Sequence, residues 1–261
     1  MRWIQWDVGQ GDAALFDLPR GRRLLIDGGP QPRGDSREER IILPWLRRRG
    51  IRRLDAVVLT HGHDDHAGGL LPLFRDVSAG LLLLPAAGKG DAWLDSVRET
   101  ALRRHIPLRI VQGCDSLLFP GVRFYFWTAP YPAGNPLSSN NRSIVTRVHF
   151  GKVRLMLMGD LEREGESPLL SSRFPVACDV LKLAHHGSRT SSSEPFLQRS
   201  RPRIAALSVG VSNRFGHPHH EVIERLAGRC ITLLRTDLSG AVLFDIDPGG
   251  SIRIRTKIVS S

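Results

Sequence analysis

An α/β fold, with two β-sheets face to face and helices outside, is the architecture this sequence predicts, and three observations lead there. Short runs such as "AVVLT", "LMLM" and "VLKLA" are almost wholly apolar, the pattern of strands buried on both faces. Segments with apolar residues at helical spacing fall between such runs. No low-complexity tract or long linker divides the 261 residues, so the chain reads as one domain, 1–261, with two similar halves of about 1–128 and 129–261. Each half combines a β-meander with α/β units, and facing sheets covered by helices bury such a set of strands economically.

In chain order, "WIQWDVGQGDAALFDL" and "RRLLIDGG" read as short strands joined by a "PRGRR" turn. "SREERIILPWLRRRG" carries helical spacing, a Ser36 cap with Glu39 three residues on, and a stop at Gly50, despite the internal Pro44. Strand "LDAVVLT" leads into a histidine-rich stretch. A short helix near 70–76, a strand at 80–85 and a helix at about 91–105 capped by Asp91 follow. From 108 to 128 the pattern is short strands with Gly and Pro turns. The polar "YPAGNPLSSNNRS" separates these from a hairpin, "IVTRVHF" and "VRLMLMGD", turning at "GK". The remainder reads as helix 162–171, strand "CDVLKLAHHG", helix 194–200, strand "RIAALSVG", helix 219–227, strand 231–234 and a closing hairpin around "DPGG".

The 37 Lys and Arg residues outnumber the 26 Asp and Glu, for a formal charge of +11. That balance favours an acidic partner, nucleic acid or an anionic membrane surface, over a merely solvated basic face. The run "RRRGIRR" at 47–53 fits a backbone-binding patch, and equally a helix end whose charges complement the dipole. Cys114, Cys178 and Cys230 are odd in number and far apart, which excludes a disulfide framework and a CxxC metal site and leaves core residues. No apolar run is long enough to span a bilayer and no signal peptide opens the chain, so a soluble polypeptide is expected.

"LTHGHDDHAGG", residues 59–69, gathers three histidines and two aspartates directly after a buried strand. Ligands placed there occupy the carboxyl edge of a sheet, where α/β proteins build their sites. Imidazole with carboxylate suits zinc, manganese or iron. Alternation lets His61 and His63 share one ion, and Asp65 with His66 can hold a second. Asp160 ends another apolar strand and His185 with His186 a third, so the three termini are expected to converge.

"HGHDDH", Asp27 in "IDGG", Asp160 in "GD" and "HHGS" at 185–188 resemble the metallo-β-lactamase superfamily, whose four-layer αββα fold carries a dinuclear metal site. "DVGQGD", "LPWLRRRGIRRLDAVVLTH", "NNRS", "HHGSRTSS" and "GHPH", in that order, resemble the carboxyl-terminal domain of the ComEC family of DNA-internalisation competence proteins. The resemblance runs from Trp6 to about Ile246. Members of that family also have membrane-spanning segments, so this chain resembles an excised domain or a stand-alone relative, placed on the extracytoplasmic face if it adjoins such a channel.

The resemblance implies that His61 and His63 hold metal one, Asp65 and His66 hold metal two, and Asp160 bridges them. His186 is expected to complete metal two, leaving His185 to contact a phosphate oxygen or donate a proton. Asp27 then orients a ligand histidine through its other ring nitrogen. The histidine that elsewhere completes metal one has no counterpart, since His149 falls within a predicted strand and "SNNRS" takes that place. Such a thin ligand set suits Mn²⁺ as well as Zn²⁺. Asp65, His185 and His217 are expected at the chemical step. Ser188, Arg189, Thr190, Asn140 and Asn141 are expected to contact substrate, with ordinary turn roles as the alternative for the asparagines. Glycines of "GQGD" and "DGGP" allow either close backbone approach or simple turns.

The activity implied is metal-dependent hydrolysis of DNA phosphodiesters, removing the strand that is not taken up in transformation. The alternatives are a DNA-binding module with a degenerate metal site, or another phosphodiesterase of the same fold. Only 24 residues separate Asp160 from His185, too few for the inserted domain of larger RNA-processing relatives. Redox di-iron members carry glutamate where His63 stands, which disfavours an oxidoreductase.

Overall fold

The computed structural model of the chain describes residues 1–32, 41–86, 91–130 and 138–257. Strands β1 (Arg2–Gln5), β2 (Ala14–Asp17) and β3 (Arg23–Ile26) precede helix α1 (Ile42–Arg48), β4 (Arg53–Leu54) and β5 (Ala56–Val58). Helices α2 (Asp64–Ala67) and α3 (Leu70–Asp76), strands β6 (Ser78–Ala79) and β7 (Leu82–Pro85), helix α4 (Ala92–Arg103) and strand β8 (Leu108–Val111) complete an α/β run. Next come β9 (Cys114–Phe119), β10 (Val122–Trp127), β11 (Val145–Phe150) and β12 (Val153–Leu157), followed by α5 (Arg163–Ser171), β13 (Val180–Lys182), α6 (Glu194–Ser200) and β14 (Ile204–Leu207). Helix α7 (His220–Ala227), β15 (Thr232–Arg235), α8 (Thr236–Ser239), β16 (Ala241–Ile246) and β17 (Ile252–Lys257) end the described chain.

Two large sheets result. One has the order β17-β16-β1-β2-β3-β5-β7-β8 and the other β15-β14-β13-β12-β11-β10-β9. β3, β5, β7 and β8 run parallel, as do β12 to β15, and the remaining neighbours are antiparallel. Taken either side of residue 128, each half lends strands to the other's sheet: β9 and β10 to the second, β16 and β17 to the first.

Strand alternation sorts the core into three layers. Trp3, Phe16, Leu24, Val58, Phe124, Leu155, Leu157 and Val180 fill the space between the sheets. Ile4, Leu15, Leu25 and Val57, one position along, meet Leu46, Phe74 and Val97 from α1, α3 and α4. Met156, Leu181 and Ala205 likewise meet Leu169, Phe196 and Leu226 from α5, α6 and α7. Both faces of the central strands are therefore covered, which is why those runs are apolar throughout. The layering is αββα, the arrangement of the metallo-β-lactamase fold.

Several local expectations change. Pro44 lies in the first turn of α1, where a missing N–H costs no helical bond, and the Ser36 cap with Glu39 falls outside the described residues. Asp91 stands at the N-cap of α4 but makes no capping bond; its carboxylate forms a buried ion pair with Arg142, which ties α4 to the loop before β11. Cys178 is buried and its thiol is pushed up to about 12 by burial, whereas Cys114 and Cys230 are exposed and not core residues. In the basic run, Arg47 pairs with Asp76 and the Arg49 guanidinium lies 3.9 Å over the Trp45 ring.

Candidate metal centre

Each polar terminus predicted to converge stands just beyond the carboxyl end of a parallel strand. Thr60, His61 and His63 follow β5, Asp160 follows β12, His185 and His186 follow β13, and Asp27 follows β3. The backbone joins the two sheets there, since Ile144 N–H donates to the Thr60 carbonyl at 2.9 Å. Gly11 and Gly28 let two loops close on the ligand turn: a Cβ at Gly11 would sit 2.4 Å from the Asp65 carbonyl oxygen, and one at Gly28 would sit 2.7 Å from the Leu70 nitrogen.

Asp160 is the hub. Its Oδ2 lies 3.7 Å from both His61 Nε2 and His186 Nε2, and its Oδ1 lies 3.2 Å from His66 Nε2. The three imidazoles are fixed from behind. His66 Nδ1 donates to Asp27 Oδ2 at 2.8 Å, His186 Nδ1 donates to the Ser208 carbonyl at 3.0 Å, and His61 Nδ1 lies 3.1 Å from Thr60 Oγ1. Thr60 is itself held by Asp27, which accepts from its N–H at 2.7 Å and its hydroxyl at 2.8 Å. With Nδ1 committed in this way, each ring directs its Nε2 toward Asp160, as metal-binding histidines direct theirs toward the ion.

His66 Nε2 and Asp160 Oδ1 are buried, and despite their approach neither makes a hydrogen bond. Buried polar atoms without partners are rare and call for one, and a cation between a lone pair and a carboxylate oxygen supplies it. His63 Nδ1 adds a donor 3.1 Å from His61 Nε2, and Asp65 Oδ2 one 3.1 Å from His186 Nε2. Ligand atoms of His61, His63 and Asp160 lie within 4.8 Å of one another, as do those of Asp12, His66, Asp160 and His186. The donors thus form two overlapping groups that share Asp160, a set fit for a binuclear metal site.

The electrostatics are those of a site made for positive charge. Burial opposes ionisation of Asp160, but the surrounding imidazoles hold its carboxyl well below the usual carboxylate range. Burial likewise opposes charge on His66, yet Asp160, Asp27 and Asp65 raise its pKa well above normal. Burial and the neighbouring His66 keep His61 neutral, with a pKa well below the usual value.

His61, His63, Asp65, His66, Asp160 and His186 meet as the sequence suggested, with Asp27 behind them. His185 stands at the rim, its Nε2 3.9 Å from Asp160 Oδ2 and its Nδ1 3.4 Å from Glu162 Oε1. His185 and His186 both have φ of 50°, a left-handed conformation costing about 1–3 kcal/mol per residue, which splits the pair between rim and interior. His217 is half-buried, its ring 5.7 Å from that of His185, and burial together with the nearby imidazoles pushes its pKa down to about 4. Arg189 and Thr190 are exposed beside the site, whereas Ser188 is buried with its Oγ 2.9 Å from Thr190 Oγ1.

Asn141 departs from its expected role. It is buried, and its amide oxygen accepts from Glu162 N–H at 3.0 Å and Gly165 N–H at 3.1 Å, so it fixes the entry to α5 instead of facing substrate. Asn140 keeps a buried amide oxygen without a partner. His149 is exposed on β11 and does not join the cluster.

The sequence reading passed over Thr60, Asp12, Lys182, Ser143 and Ser208. Lys182 and Asp12 form an ion pair buried between the sheets, and removing one partner from such a pair costs about 3–5 kcal/mol. A lysine inside the apolar "VLKLA" was the signal for it. The Ser208 hydroxyl donates to the Gly11 carbonyl at 2.7 Å, and the Ser143 hydroxyl accepts from the Asp160 N–H at 3.1 Å, so both anchor the ligand loops.

The model of the metallo-beta-lactamase superfamily matches residues 6–89, the part that carries Asp27 and the histidine cluster. The chain belongs to that superfamily, and its donor set is that of a metal-dependent hydrolase within it. It is homologous over most of its length to competence proteins. It is 32% identical over 250 residues to ComE operon protein 3 of Bacillus subtilis, and 35% identical over 246 residues to competence protein ComA of Neisseria gonorrhoeae. These matches cover 91% and 94% of this chain but 32% of each relative, so the chain spans about a third of their length. Among solved structures, CmlA, a diiron β-hydroxylase from Streptomyces venezuelae, superimposes with a TM-score of 0.59 at 14% identity, over 89% of this chain and 52% of that one. That likeness concerns the fold. No helix among the described residues is long and apolar enough to cross a membrane.

Proposed function

We propose that the chain is a two-metal nuclease that hydrolyses DNA phosphodiesters and degrades the strand left outside during DNA uptake. The observation that carries the hydrolytic part is the convergence on Asp160 of three buried Nε2 atoms, each with its Nδ1 engaged from behind. A formal charge of +11 and the name of the Neisseria gonorrhoeae relative, which speaks of competence, support DNA as the substrate.

In this reading His61 and His63 hold one ion, Asp65, His66 and His186 hold the other, and Asp160 serves both. When bound, the ions would supply Lewis acidity to phosphoryl oxygens and would lower the pKa of water at the site. Asp27 and Thr60 keep the ring nitrogens aimed. His185, with Glu162 behind its Nδ1, offers Nε2 to a phosphate oxygen or to the leaving oxygen. His217, neutral at physiological pH, contacts the same phosphate as a hydrogen-bonding imidazole. Arg189 and Thr190 meet neighbouring phosphates from the rim.

Two imidazoles and a shared carboxylate are a thinner set than closed zinc sites have, so Mn²⁺ serves as well as Zn²⁺. In this reading the chain adjoins a membrane channel domain and lies on the extracytoplasmic face, and the relatives, of which it spans about a third, are long enough to hold such a domain. Incubating the chain with Mn²⁺ or Zn²⁺ and end-labelled or circular DNA is expected to give fragments, while Asp65→Ala gives none. A metal-loaded chain that binds DNA with a steep salt dependence but never cuts it would instead be a binding module.

A further inference from the structure

The loop from Gly210 to His219, between β14 and α7, presents an aromatic side chain to solvent beside the metal centre. Phe215 is 48% exposed and Val211 on the same loop 68% exposed. The loop is built to hold that position. Asn213 Oδ1 accepts from Phe215 N–H at 3.2 Å and His217 N–H at 3.0 Å, and its Nδ2 donates to the carbonyls of Gly210 at 3.0 Å and His217 at 2.7 Å.

The Phe215 ring begins a ladder of rings that leads inward. It stacks on His217 with centroids 5.7 Å apart and planes 22° apart, and His217 stacks on His186 at 6.3 Å and 26°. The Arg214 guanidinium lies over the Phe215 ring, 4.9 Å from its centroid, so a base that stacks on that face displaces it toward the adjoining phosphate.

Resting on the nuclease reading, we propose that Phe215 is a base-stacking platform. It takes an unpaired nucleobase of a single strand a few nucleotides from the scissile phosphate, while Arg214 meets the adjoining phosphate. Every base offers a π-face, so such a platform holds strands without reading sequence, and stacking adds to backbone attraction. A paired base is already stacked and cannot lie on Phe215 without being unstacked. The platform therefore gives preference to single strands and frayed ends over duplex interior.

The test uses the Mn²⁺-loaded chain with phosphorothioate-linked strands of equal length, one of thymidylates and one of abasic sites, and a blunt duplex. Phe215→Ala is expected to weaken thymidylate binding about tenfold, with Phe215→Trp restoring it and the abasic strand bound equally by all three proteins. An unchanged affinity in Phe215→Ala, or an abasic strand bound as tightly as thymidylate, overturns the proposal. Phe215-dependent binding to anionic vesicles in place of strands overturns it in favour of a membrane-facing loop. Cleavage of ordinary DNA is scored separately. Phe215-dependent binding without cleavage removes the nuclease reading alone, and cleavage with an inert Phe215 removes the platform alone.

Discussion

His66 and His186 are buried, with their Nδ1 atoms tied to Asp27 and to the Ser208 carbonyl, whereas His63 stands in solvent beside the buried His61. Both groups of candidate ligands meet at Asp160. The deep group sets Asp12, itself paired with Lys182, beside two imidazoles, with the Asp65 carboxylate 3.1 Å from His186 Nε2, while the shallow group has no third side chain of its own among the described residues. Two sites that share a hub can thus differ in strength, because anchoring from behind determines how little a ligand must reorganise to bind.

The largest effect expected from breaking this arrangement comes at the hub. Asp160→Ala removes the carboxylate common to both groups, so elemental analysis of the purified variant is expected to find neither ion, with hydrolysis at background. Next come the anchors, which separate the two groups. Asp27→Asn is expected to weaken the deep site by 10–100-fold, because an amide cannot accept from Thr60 N–H, Thr60 Oγ1 and His66 Nδ1 as the carboxylate does. Thr60→Val keeps the shape and removes the hydroxyl beside His61 Nδ1. It is expected to act mainly on the shallow site, by about tenfold, read from competition with a metal-sensing dye.

The comparison also shows what the sequence made legible. The candidate ligands at the ends of "AVVLT", "LMLM" and "VLKLA" stand out because a strand covered on both faces is apolar to its end, and the polar residue after it must serve something. The layered fold followed from the same runs. Roles set by tertiary contact were not readable. Asn141, in a loop of turn-forming residues, caps α5 because Glu162 and Gly165 lie in front of it, and Asp91, placed to cap α4, pairs with Arg142 from a distant loop. Thr60 sits inside the quoted cluster, yet its part as a link between Asp27 and His61 depends on β3 lying beside β5. The separation of His185 from His186 depends on two left-handed residues in succession, which no side-chain pattern announces.

Calorimetric titration of the metal-free chain with Mn²⁺, alongside His63→Ala, tests the central claim most directly. Two binding events of unequal affinity are expected, with the weaker one absent from His63→Ala and the tighter one retained. A single event in the wild type, or loss of the tighter event in His63→Ala, would contradict the account.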